Sequence, residues 1–374
     1  MQEDLWNYWV KKLLFPKKFI IDSPGMLLSK TYLEYGNNNK RRMIYYFEDE
    51  IANLQIQTSQ KIGETASKKL WYKIGKEIGK QFSYSVKIVN KSPEKQNELI
   101  NHIFQNLSSI GLSAANKIKY NCNKQTLVLT GKENIVCRKT NSPELILGIV
   151  NGIMSSVLNK TTRIKAYCKK CPRHCKLFIN VASDVNSNNI NLKKYNYTNV
   201  IKHNKDKESL SFANLIKFNK INFSNKISFL EQTITLSTLD FFDIIISNYS
   251  NIEELSLLQN SLLKTSYKKI KCFLKNIQDT KVKINFVINM LTAFGWGKIT
   301  YKKEQENIIF IFNNIPSIYD KSLNVKEYFY LESILIGYMN FIFQKSYQRK
   351  RIKKLYNSDY YSLIIELSPI LKNK

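Results

Sequence analysis

The sequence has little cysteine, glycine, proline or histidine. Its 374 residues include 6 Cys, 12 Gly, 7 Pro and 3 His. So few cysteines exclude a disulfide scaffold. So little glycine and proline excludes collagen-like and Pro/Gly low-complexity chains. The histidines are His102, His174 and His203, and no Walker A loop, GxGxxG or Ser/His/Asp arrangement accompanies them. Long apolar runs are also missing. The most apolar stretches, Glu144–Leu158 and Tyr328–Phe343, fall short of the ~20 residues that span a bilayer, and they carry Asn151 and Glu332. Met1-Gln2-Glu3-Asp4 lacks the basic and apolar regions of a secretory signal. These absences point away from an enzyme. They point toward a soluble protein of the cytoplasm or a plastid stroma whose thiols are reduced or bind metal.

Positive charge is plentiful. Lys and Arg number 58 against 29 Asp and Glu, a net charge of +29. The hydrophobic fraction is 43% and the aromatic fraction 12%, enough apolar material for real cores. The bias toward Lys, Asn, Ile and Tyr is what AT-rich codon usage produces, so part of the charge reflects drift. Two basic segments stand out, Lys160–Lys176 with Lys169, Lys170 and Arg173, and Gln344–Lys354 with Arg349, Lys350, Arg351, Lys353 and Lys354. Each precedes a final strand. They form a candidate basic patch for an acidic protein complex, an anionic membrane surface or nucleic acid. A solvated Lys-rich surface is the bland alternative.

The chain repeats itself, which is the first feature to seek in a sequence of this length. Leu107-Ser108-Ser109-Ile110-Gly111-Leu112 parallels Leu291-Thr292-Ala293-Phe294-Gly295-Trp296, an offset of 295 − 111 = 184. Lys117-Ile118-Lys119-Tyr120 parallels Lys298-Ile299-Thr300-Tyr301 at 181, and Leu145–Asn151 parallels Ile334–Asn340 at 189. Lys176-Leu177-Phe178-Ile179 parallels Ser362-Leu363-Ile364-Ile365 at 186. Drifting offsets with conserved order are what duplication and loop indels produce. We divide the chain into a first copy at 1–182, a linker at 183–208 and a second copy at 209–374.

Each copy reads as helices, a glycine corner, strands, a helix and a last strand. Phe47 to Phe82 reads as one long helix with Leu70, Trp71, Ile74, Ile78 and Phe82 on its stripe. Gly75 and Gly79 would admit a close neighbour. Ser92-Pro93-Glu94 starts another helix. Leu127-Val128-Leu129 and Ile308–Phe312 read as strands. Glu50 and Glu77 read as solvated helix residues, and the lone Cys122 and Cys272 as small structural residues.

Cys168-Lys-Lys-Cys171-Pro-Arg-His174-Cys175 gathers three of the six cysteines within eight residues. A CxxC knuckle with a further Cys is an arc of a tetrahedral zinc site, and the surrounding cations favour thiolates. Cys137 or His174 would supply the fourth ligand. A metal-free basic loop and a redox CxxC are the alternatives. Tyr356 and Tyr361 stand in the second copy where Cys168 and Cys175 stand in the first.

Cys137, the Gly148-x-x-x-Gly152 helix and the run from Cys168 to Cys175-Lys-Leu-Phe178 together resemble the vinyl-4-reductase-like domain family. The Gly295-Trp296-Gly297 corner is similar to that family's glycine-rich turn. The resemblance spans both copies, the second degenerate. It implies a tandem α+β protein of small antiparallel sheets with packed helices, forming a pseudo-dimer with a pocket for an apolar or aromatic molecule. It also implies that Cys137, Cys168 and Cys175 hold zinc. The family's acidic ligand has no counterpart, and Cys171 would replace it. The expected job is non-enzymatic: binding a hydrophobic small molecule, or serving as an assembly factor, photosystem- or pigment-related in a plastid. The alternative is a basic nucleic-acid-binding protein.

The metal expectation has a direct test. Elemental analysis of the purified chain should find about one zinc per chain, and Cys168→Ser with Cys175→Ser should remove it and lower the melting temperature. Metal-free protein with an unchanged melting temperature would end the idea.

Overall fold

The computed structural model describes residues 19–20, 25–33, 40–83, 91–112, 114–124, 126–132, 134–170, 174–186, 211–223, 226–249, 251–318, 325–357 and 360–370. The first half contains β1 (Phe19–Ile20), β2 (Leu27–Leu33), β3 (Lys40–Phe47), α1 (Glu48–Ile62), α2 (Glu64–Ser83) and α3 (Pro93–Ser109). It continues with β4 (Ala114–Asn121), β5 (Thr126–Lys132), α4 (Cys137–Thr140), α5 (Glu144–Leu158), β6 (Lys160–Lys170) and β7 (His174–Asn186). The second half contains α6 (Phe212–Lys217), β8 (Ile221–Phe223), β9 (Ile227–Phe229), β10 (Gln232–Ser237), α7 (Leu239–Ser247) and α8 (Ile252–Leu274). Then follow α9 (Thr280–Ala293), β11 (Lys298–Glu304), β12 (Asn307–Asn313), a 3-10 turn at Val325–Tyr328, α10 (Phe329–Phe343), β13 (Tyr347–Asn357) and β14 (Tyr360–Pro369). The fold is α+β with antiparallel sheets.

Both halves contain the same four-stranded sheet, ordered β4-β5-β7-β6 in one and β11-β12-β14-β13 in the other. A helix, α5 or α10, is inserted between the second and third strands in sequence. A third sheet has the order β1-β2-β3-β10-β9-β8. That order reads the same from either end when each strand is matched to its counterpart in the other half, the mark of a pseudo-twofold axis between β3 and β10. Tyr45 faces Leu236 across the join. Tyr45 N–H donates to Phe294 O at 2.9 Å, and Leu236 N–H donates to Ile110 O at 3.0 Å. Phe294 and Ile110 are equivalent corner residues, at 294 − 110 = 184, so each half's central strand is tied to the other half's corner. Arg42 reinforces one crossing, donating to Gly25 O at 3.0 Å, Gly295 O at 3.3 Å and Asn314 O at 2.9 Å.

The corners are helix ends. Gly111 (φ 85°) and Gly295 (φ 91°) occupy the left-handed region, where a side chain would be strained. The next residue closes the helix backwards, Leu112 N to Leu107 O at 3.0 Å and Trp296 N to Leu291 O at 3.1 Å.

The sequence parallel over the inserted helices slips by one turn. α5 and α10 begin 329 − 144 = 185 apart, not 189. At 185 their C-caps match, Asn159 and Gln344, both left-handed. So do the ties from helix to next strand, Ser155 Oγ with Thr162 Oγ1 at 2.8 Å and Tyr347 N to Asn340 Oδ1 at 2.7 Å. Gly337 then matches Gly152. Four residues preserve the apolar face of a helix, so hydrophobic pattern alone tolerates the slip.

Phe47 to Phe82 is not one helix. Gly63 (φ 84°) breaks it into α1 and α2. Trp71, Ile74 and Ile78 are buried as expected. The basic segments at 160–170 and 347–354 are themselves strands. Residues 183–186 of the expected linker belong to β7, and 187–208 lie outside the described residues.

α2 and α5 touch through glycine. A Cβ at Gly75 or Gly79 would strike the Leu145 or Ile149 carbonyl, and one at Gly152 the Lys76 carbonyl. Gly152→Val should therefore force the helices apart and cost about 3 kcal/mol or more, read as a lower denaturation midpoint.

Candidate functional site

An apolar cleft opens where the halves meet. Its cavity proper is small, about 30 Å³, at the bottom of a solvent-open hollow of about 440 Å³. Met43 of β3 and Ile78 and Phe82 of α2 form one wall. Ile110 and Leu112 of the first corner form another. Ser237 and Thr238 at the end of β10, with Asp240, Phe241 and Ile244 of α7, complete it. Both halves contribute, so the cleft exists only in the clasped pair. One carboxylate, three polar side chains in all, and an apolar lining suit an amphipathic small molecule.

The cysteine cluster is positioned by the first small sheet. Gly131 of β5 lies opposite Cys175 of β7. In the β6–β7 hairpin Tyr167 pairs with Lys176 and Lys170 with His174, which places Cys168 near the same end. Cys137, the buried first residue of α4, follows β5 at that end. The backbone thus brings Cys137, Cys168 and Cys175 to one end of one sheet. The side chains of Cys168, His174 and Cys175 and all of Cys171 lie outside the described residues. Among the described residues no group of three His, Cys, Asp or Glu is placed to hold a metal.

Val136, just before Cys137, has φ 63°, a conformation costing a β-branched residue roughly 1–3 kcal/mol. Buried Glu48 holds it there. Its Oε1 accepts from Val136 N–H at 2.6 Å, and its carboxylate takes Arg138 Nε at 2.8 and 2.6 Å. Charge-assisted bonds of this kind offset such strain.

In the second copy Tyr356 and Tyr361 face each other across β13 and β14, their rings 5.0 Å apart. Lys354 Nζ lies 4.5 Å from the Tyr361 centroid. Among the described residues, three of the eight cations of the expected basic patch pair with carboxylates of the chain, Lys354 buried and Arg349 and Lys350 at the surface. Arg349 binds Glu332 at 2.8 Å, Lys350 binds Glu366 at 2.8 Å, and buried Lys354 binds Glu327 at 3.3 Å. Arg351 and Lys353 are exposed. Lys169 and Lys170 lie on β6 with undescribed side chains, and Arg173 lies outside the described residues. Of the lone cysteines, Cys122 donates to Gln96 Oε1 at 3.2 Å, whereas Cys272 is exposed on α8 and fills no core.

Among the described residues no helix is long and apolar enough to cross a membrane. Among solved structures the chain is similar to the phenol-responsive sensory domain of the transcription activator PoxR, solved with phenol. Identity is 13% over 44% of this chain and 86% of that one, with a TM-score of 0.33. No family model and no curated protein matches the sequence.

Glu50 is a buried carboxylate with no strong signal in the sequence. It is 0% exposed rather than solvated, and Tyr330, its hydrogen-bond partner, stacks on Phe242 with centroids 3.9 Å apart. Tyr330 Oη donates to its carboxylate, as does Phe47 N–H at 3.2 Å. The faint signal was its place three residues after the N-cap Phe47, where a carboxylate turns back to cap the helix. Glu77 is tied instead, by Asn248 at 2.8 Å. Burial raises the Glu50 carboxyl from 4.5 to about 7, against the donors that pull it down. The folded chain then keeps a proton that the unfolded chain loses, so stability falls as pH rises from 4.5 to about 7 and levels above. Glu50→Gln should remove a decline of roughly 3 kcal/mol across that window in pH-dependent urea unfolding. Identical slopes in both proteins would refute the assignment.

Proposed function

We propose that this chain is a non-enzymatic ligand-binding module of the vinyl-4-reductase-like type. One ancestral unit is duplicated, the copies are clasped as a pseudo-dimer, and a hydrophobic small molecule is held between them. The observation that carries the reading is the apolar cleft built jointly by β3, α2, the first corner and α7. Its walls are core-type side chains that a folded monomer would otherwise close over. In this reading a zinc ion on Cys137, Cys168, Cys175 and Cys171 staples the first small sheet, and the second copy replaces it by the Tyr356–Tyr361 pair. The family placement rests on the cysteine and glycine positions and on the repeated sheet.

Service as an accessory subunit of a larger assembly is compatible with the same cleft. The nucleic-acid alternative draws less support, because Arg349, Lys350 and Lys354 each bind a carboxylate of the chain itself. A phosphate-binding stripe needs its cations uncommitted.

The test is calorimetric titration of the full chain with 2-phenylethanol, a neutral aromatic amphiphile. Saturable binding at one site is expected, and Ile244→Trp, which fills the cleft, should abolish it while the chain stays folded. Absence of saturable binding, or binding indifferent to Ile244→Trp, would refute the proposal.

A further inference from the structure

The pseudo-twofold axis supplies an internal control for the cleft, because an equivalent space exists on the other side of it. The central strands superpose at 236 − 45 = 191, from the Tyr45–Leu236 pair. At that offset the helix N-caps Phe47 and Thr238 match, and Asp49 matches Asp240. The long helices superpose at 187: a Cβ at Gly152 would meet Lys76 O and Lys80 N, and one at Gly337 would meet Leu263 O and Tyr267 N. At that offset Phe82 matches Lys269 and Ile78 matches Thr265. The two offsets agree with each other, because Asn53 Nδ2 binds Thr265 Oγ1 at 3.2 Å where Ile244 and Ile78 both line the cleft.

The equivalent space is full. Phe47 and Phe294 pack there with centroids 5.6 Å apart. Lys269 enters with its side chain only 7% exposed, pairs with Asp49, and gives Gln232 Oε1 a hydrogen bond at 2.5 Å. Its Nζ lies 5.4 Å from the Phe47 centroid. A buried ammonium, a half-buried carboxylate that also pairs with Lys139, and an aromatic face thus form one unit.

On the cleft side the ammonium and the rings of Phe47 and Phe294 are missing. Thr238 stands for Phe47 and Ile110 for Phe294, so two phenyl rings give way to smaller groups, while Phe241 stands for Glu50. Phe82 stands for Lys269, so the ammonium is gone. Its carboxylate remains. Asp240 is 3% exposed, and its Oδ1 meets no hydrogen-bond donor among the described residues. A buried carboxylate oxygen without a donor is an unmet requirement.

We propose that the cleft takes an arylalkyl ammonium, with Asp240 as its counter-ion and Phe82 and Phe241 about its ring. The missing volume is aromatic and the missing charge is positive, and both lie where the chain's own Lys269 and Phe47 lie in the other half. The inference rests on the reading of the cleft as a ligand site and names its ligand class.

The experiment compares 2-phenylethylamine, protonated at pH 7, with 2-phenylethanol on the full chain by calorimetry. The amine should bind at least about tenfold more tightly, the difference expected of a charge-assisted bond. Asp240→Asn should bring the amine down to the alcohol's affinity and leave the alcohol unchanged. Phe82→Lys, which restores the internal ammonium, should abolish amine binding and raise the melting temperature. Equal affinity for the two compounds, or an amine preference that survives Asp240→Asn, overturns this inference while the cleft reading stands. Binding of neither compound overturns both.

Discussion

Two main-chain hydrogen bonds organise this protein, Tyr45 N–H to Phe294 O and Leu236 N–H to Ile110 O. Each takes a strand of one half to a corner of the other. They are possible because Tyr45 and Leu236 sit opposite each other with their N–H groups pointing out of the ladder. The corners must present their carbonyls there, which requires the left-handed glycines that end α3 and α9. Strand pairing, helix termination and the relation between the halves are therefore one constraint. Neither half's central strand is complete without the other half.

That constraint also creates the cleft. Two halves of matching topology about a pseudo-twofold axis present two equivalent spaces there. Their side chains differ, so the two spaces need not be filled alike. Around the second corner, Phe47, Phe229, Phe273, Phe286 and Phe294 interlock. Around the first corner, smaller residues leave room. Symmetry fixes the framework, and side-chain volume decides which space is core and which is site.

The repeat, the glycine corners, the two apolar helices and the strands around Leu127–Leu129 and Ile308–Phe312 were legible in the sequence. Each is a local pattern with a local physical cause: apolar periodicity, or a backbone angle only glycine takes easily. The break at Gly63 was not legible, because a glycine within a periodic stretch is tolerated as often as it terminates. The one-turn slip between α5 and α10 was invisible because a shift of four residues leaves the same face apolar. Glu50 read as solvated because its burial depends on Tyr330, 280 residues away. Asp240 gave no signal at all, since only the fold shows that its Oδ1 is buried without a hydrogen-bond donor among the described residues.

By itself the sequence determined the fold class, the repeated order of its blocks and the clustering of cysteines along the chain, because composition and spacing encode them. The tertiary structure decided that the halves exchange strand and corner, that most cations of β13 bind carboxylates of the chain itself, and that buried Asp240 lies in the wall of an apolar cleft. Those facts depend on distances between residues far apart in the chain, and linear spacing carries no record of such distances.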